Sequence, residues 1–144
     1  VPQHASAKRV PTRTKARKRA LDILFEADLR EMAVHEVLAA ATEQAEPPVR
    51  DYTTDLVLGV VEYQPEIDAQ IAAHLPSGWT LERMPRVDRN LARLAIFEAL
   101  HTETDQAVAL AECVLLATEL STDDSPALLN GVLAAILRSA KPAV

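Results

Sequence analysis

Between its prolines this chain repeats one pattern, in which apolar residues recur at the spacing of helical turns and leave a single apolar stripe on each segment. After Pro85 the stripe is Val87, Leu91, Leu94, Ala95 and Leu100, at i, i+4, i+7, i+8 and i+13, with Arg86, Arg89, Arg93 and Glu98 between them. This is the period of an amphipathic helix, and we read no strand anywhere in the chain. Composition closes the alternative. Three glycines and 3% aromatic residues are too few for the turns and strands of a sandwich or barrel. A length of 144 residues allows one domain with a real core and not two. The expected fold class is all-α.

The stripes predict six or seven helices. The first begins at Thr12, with Ala16, Ala20, Leu21, Leu24, Phe25 and Leu29 on one side and Lys15, Arg19, Asp22, Glu26 and Arg30 opposite. A second runs from about Val34 to Ala45 and is stopped by Pro47 and Pro48. The third starts after Arg50, and Pro65 is expected to break or kink it. Pro76, Ser77 and Gly78 form the strongest turn signal and the expected hinge between two packed helical halves. Pro85 suits the first turn of the next helix. From Gln106 to Leu120 the inward residues are expected to be Ala107, Val108, Ala111, Val114 and Leu115. The last helix carries Leu128 to Leu137, with Asp124 or Ser125 as its cap and Pro126 at its first position. Residues 1–11 read as a flexible basic arm before a single domain over 12–144.

Catalytic patterns are weak. His4, His35, His74 and His101 never stand at the i, i+4 spacing of a helical metal pair, and a lone Cys113 builds neither a thiolate cage nor an internal disulfide. Glycines at 59, 78 and 131 are too dispersed for a phosphate loop. Asp123, Asp124 and Ser125 could serve as paired carboxylates or a nucleophile, but a helix start explains them more simply. No enzyme, metal or cofactor is expected. With no membrane-spanning apolar run and no secretory h-region, a cytoplasmic location is expected.

Charge is the informative quantity. The net charge of -6 argues against a nucleic-acid partner until it is divided. Residues 1–20 hold seven cations and no acid, a charge of +7, while the rest holds eight cations against 21 acids, a charge of -13. Cations in a first helical turn oppose the macrodipole, each at roughly 0.3–1 kcal/mol. Arg13 and Arg17 also share the sector of Ala20, Leu21 and Leu24, so the first turn is expected to overhang the body and leave both arginines free for an anion. About four contacts to single-stranded phosphates would give a salt slope near -2.8 and roughly 50-fold weaker binding between ~50 and ~200 mM salt. A solvated tail is the plainer reading of the same run. Phe25 beside it could stack a base or belong to the core.

Four stretches, in order, resemble the NusB transcription antitermination family: Ala16 to Ala20 followed by Leu24 and Phe25; Leu56 to Val60; Gly78 to Leu81 with Val87 to Arg89 and Leu91 to Glu98; and Ala117 to Pro126 running into Asn130 to Leu133. The second-last and last blocks look most like actinobacterial members. The resemblance implies an all-helical fold of two packed subdomains. It also implies binding of single-stranded boxA RNA in nascent ribosomal RNA transcripts, together with the ribosomal protein NusE, within the transcription elongation complex. RNA contacts would fall on Arg13, Lys15, Arg17 and Lys18 of the arginine-rich helix, on Phe25, and on Asp124 and Leu128; Asp88 would lie at the protein partner. Three places depart from the family pattern: Leu128 stands where phenylalanine is usual, Leu110 to Cys113 lacks the usual Asn/Asp-Glu-Ala, and Asp105-Gln106 replaces a proline with an aromatic or acidic neighbour. Monomer and homodimer are both compatible with it. The competing readings are a protein-only helical module with an incidental basic tail, and an accessory domain of an RNA-modifying enzyme.

Overall fold

The computed structural model describes residues 11–44 and 46–140. The expected arm therefore lies outside the described residues except for Pro11, as does Ala45 at the end of the second helix. Among the described residues six α-helices follow one another: α1 (Thr12–Arg30), α2 (Val34–Gln44), α3 (Asp51–His74), α4 (Arg86–His101), α5 (Gln106–Leu120) and α6 (Ser125–Ser139). One 3-10 turn, Leu81–Arg83, precedes α4, and no strand occurs among the described residues.

The helix α4 is the hub. Leu91, Ala92, Leu94, Ala95, Ile96 and Phe97 are all buried, and they share one core with Leu21 and Leu24 of α1, Val57 and Val60 of α3, Cys113 and Leu116 of α5, and Leu129 and Leu133 of α6. Because its surroundings are protein on most sides, its charged residues must find partners inside the fold. At its first turns Arg89 donates two hydrogen bonds to Asp28 of α1 at 2.8 and 2.7 Å, and Asn90 adds a third at 3.0 Å. Arg93 reaches across to Asp68 of α3 at 2.8 and 3.0 Å.

The Arg89 hydrogen bonds hold the Asp28 carboxyl below the ordinary aspartate range, against the opposing effect of burial. Asp28→Asn should cost about 2 kcal/mol at neutral pH, the scale of hydrogen bonds to a charged group. A depressed carboxyl pKa contributes fully above the unfolded value and loses that contribution as pH falls through the folded one. In urea melts, the gap between wild type and Asp28→Asn should therefore narrow from about pH 4 downward. A gap that stays constant to about pH 2 would show that the charge pairing contributes nothing.

Three local expectations are corrected. The break expected at Pro65 does not occur, since α3 runs through it to His74. The proline is exposed, so water can take the carbonyl it leaves without a donor. In α5 the inward residues are Ala109, Cys113, Leu116 and Ala117, whereas Val108 is 46% and Leu115 43% exposed. A helix apolar nearly all round carries no phase of its own, and packing against α4 chooses it: the Cys113 thiol lies 3.7 Å from the Leu91 carbonyl. Burial, aided by the Asp88 charge, pushes that thiol up to about 12, so it is an inert core group. At α6 the cap position is Asp124, but its side chain makes no capping bond. Instead Ser125 Oγ accepts from the Thr122 N–H at 3.2 Å, one turn earlier.

Candidate nucleic-acid interface

The start of α1 does not overhang the body. Arg17 is buried, its side chain 8% exposed, against Glu98 of α4 at 3%. Its Nε and Nη2 donate to the two Glu98 oxygens at 2.8 and 2.6 Å, and Nη1 donates to Glu112 of α5 at 2.7 Å. Tyr52 of α3 donates its hydroxyl to Glu98, and Thr14 donates to Glu112. Burial pulls the guanidinium pKa down, but the Glu98 hydrogen bonds and charge, with Tyr52 and Glu112, outweigh it and raise the pKa. The expected cost of placing an arginine in the apolar sector is thus met by two carboxylates from neighbouring helices. Arg17 is consequently not free for an external anion.

Arg13 follows the same sector but stops at the rim. Its guanidinium lies 4.3 Å from the centre of the Tyr52 ring, a cation–π contact, with the residue itself exposed. Tyr52 was not among the sequence candidates. Its hydroxyl is pushed up by burial and by its bond to Glu98, so it remains a donor.

The outer face of α1 is different. Lys15, Lys18 and Arg19 are exposed and make no ion pair among the described residues. With Asp22 they form one wall of a groove of about 250 Å³, and the segment Glu46 to Arg50 forms the other. Partial burial lifts the Asp22 carboxyl pKa, while Arg19 and Lys18 pull it back. Phe25, one to two turns on, is half-buried and stands outside the core cluster.

The remaining expected residues lie elsewhere. Asp124 is exposed at the start of α6, and Leu128, one turn later, is half-buried against the core. Asp88 is 1% exposed and cannot meet a protein partner directly. Its carboxylate accepts from Ser121 and, at 2.7 Å, from Ser125, so it braces the loop that carries Asp124. Asp88 and Glu98 are ten residues apart on α4, about 15 Å of helix, so Asp124 and the basic turn sit toward opposite ends of the hub.

The NusB family model matches residues 14–138. The transcription antitermination protein NusB of Acidothermus cellulolyticus is 56% identical over 128 residues, covering 88% of each chain, and that of Salinispora arenicola is 52% identical, covering 88% of this chain and 96% of its own. Among solved structures, T. maritima NusB superposes with a TM-score of 0.79 at 26% identity, covering 93% of this chain and 95% of that one. A crystal structure of the antitermination factors NusB and NusE in complex with dsRNA superposes with a TM-score of 0.76 at 26% identity, covering 88% and 96%. Matched over nearly all of its helical body in sequence and in fold, the chain belongs to the NusB family.

Proposed function

We propose that the chain is a transcription antitermination factor that grips boxA-type RNA of nascent ribosomal RNA transcripts with the outer face of α1, in company with NusE and the elongation complex. One observation carries this reading: Lys15, Lys18 and Arg19 stand exposed on one face of an otherwise acidic body, without an ion-pair partner among the described residues. An acidic body confines phosphate to that face. Arg13, over Tyr52, adds an exposed cation in the Arg17 sector away from that face, and the half-buried Phe25 stands one to two turns along from Lys18 as a candidate for stacking a base. Asp124 and Leu128 would meet RNA only at the far end of the hub. Arg17 and Asp88 act as positioning residues, one seating the basic turn and the other the Asp124 loop.

Fluorescence anisotropy with a labelled boxA RNA and a scrambled control, with and without NusE, tests the reading. The boxA RNA should bind better, and NusE should tighten it. In Lys15→Ala/Lys18→Ala/Arg19→Ala the salt slope should flatten by about 2, at roughly 0.7 per single-strand contact. These side chains are exposed and make no hydrogen bond or ion pair among the described residues, so stability should change by less than about 0.5 kcal/mol per site. Equal affinity for both RNAs under every condition would end the proposal.

A protein-only module is the second reading, favoured by Val108 and Leu115 exposed on α5. It predicts that the triple variant keeps full affinity for NusE and that the wild type has no RNA affinity to lose. A second copy of this chain is the other occupant that face could take, which light scattering would register as a dimer.

A further inference from the structure

Seven of the twelve Lys and Arg side chains among the described residues are already engaged. Arg17, Arg30, Arg86, Arg89 and Arg93 have carboxylate partners, Arg83 donates to the Gly78 carbonyl, and Arg13 rests on Tyr52. Among the described residues, Lys15, Lys18, Arg19, Arg50 and Arg138 have no such partner. Acids outnumber Lys and Arg 21 to 15, so unpaired cations need not arise for want of acids. Four of these five nevertheless line the single groove between α1 and the Glu46 to Arg50 segment.

We propose that this groove is a cradle for the phosphodiester backbone, with Arg50 as a clamp from its second wall. The inference rests on the RNA reading above and extends the contact from one helix to two elements. Arg50 stands immediately before α3, half-buried, and its side chain makes no hydrogen bond or ion pair within the described protein. A planar guanidinium can take two phosphate oxygens at once, which the lysines opposite cannot. Pro47 and Pro48 restrict the backbone of that wall and lower the entropy lost when a ligand orders it. A volume of about 250 Å³ lies below the roughly 300–1,000 Å³ of pockets that enclose whole small molecules, and suits a strand laid along the groove. Asp22 and Glu46 leave a local charge of +2 and repel phosphate from their own side, which narrows the path of the strand.

Anisotropy titrations of labelled boxA RNA from about 50 to 200 mM salt test the cradle with wild type, Arg50→Gln, Arg138→Gln and Asp22→Asn. Losing one single-strand phosphate contact should flatten the slope by about 0.7, so Arg50→Gln should lose roughly 2.5-fold less affinity across that range than wild type. Arg138→Gln, on α6, should match wild type, and Asp22→Asn should bind more tightly. Equal slopes for Arg50→Gln and wild type would overturn the cradle, as would an Arg138→Gln variant flattened to the same degree. Arg50-dependent capture of a labelled polyglutamate peptide with an unchanged RNA slope would also overturn it, in favour of an acidic protein segment. If the α1 triple variant loses RNA while Arg50→Gln parallels wild type, only the cradle falls. If wild type shows no RNA binding, both readings fall.

Discussion

Replacing Arg17 by alanine should destabilise the fold by about 3–5 kcal/mol, because it strands a buried Glu98 carboxylate whose principal partner is gone. Against a typical total of 5–15 kcal/mol this is a large fraction. Tyr52 and Thr14 still donate to Glu98 and Glu112, but neither supplies a charge. Arg17→Lys should recover only part of the loss, since an ammonium cannot take both Glu98 oxygens in the planar fork. The pair Arg17→Met with Glu98→Gln should be markedly more stable than Arg17→Met alone, because removing both charges relieves the desolvation that removing one exposes. Chemical denaturation measures all of these. An Arg17→Ala protein within about 1 kcal/mol of wild type would show that the network is not holding α1 to α4. The same experiment guards the RNA reading: a binding defect at Arg17 comes with a stability loss, and one at Lys15 does not.

Gly59→Ala should lower stability by about 2 kcal/mol, although alanine in a free helix would be favoured by about 1 kcal/mol. A Cβ at residue 59 would lie 2.0 Å from Phe97 Cζ and 2.3 Å from Cε1. The ring cannot step aside freely, since Tyr63 and His101 stack beside it with centroids 6.1 and 6.0 Å away. The melting temperature should fall by about 8 °C on the scale of a domain of this size. Adding Phe97→Leu should recover part of the loss, which a simple sum of two destabilising changes would not allow. A neutral or stabilised Gly59→Ala would mean that α3 and α4 do not approach at this point.

The two variants show why part of the interface was legible and part was not. Helix α1 could be read because its outer face, Lys15, Lys18, Arg19 and Asp22, is polar at a spacing that only a helix explains. Arg17 lay on the wrong side of that helix, and its acids are 81 and 95 residues away in sequence. A signal did exist: Glu98 sits inside the apolar run from Leu94 to Leu100, and a charge there needs a buried partner. Arg50 and Tyr52 carried no comparable mark. They matter because the chain entering α3 returns beside α1, a matter of packing between helices rather than of spacing within one.

By itself, the sequence determined the helical class, all six helix starts among the described residues to within a residue or two, and the family, since each depends on local periodicity, caps and ordered motifs. It did not determine phase where a helix is apolar all round, as in α5, nor whether a charge in an apolar sector is paired or free. Those depend on which faces meet. Only the tertiary structure, by setting Glu98 and Glu112 against Arg17 and the Glu46 to Arg50 segment beside Lys15 and Arg19, separated the cations that hold the fold from those left facing outward. The physical reason is that burial makes an unpaired charge costly, so the competition among partners is settled in space and not along the chain.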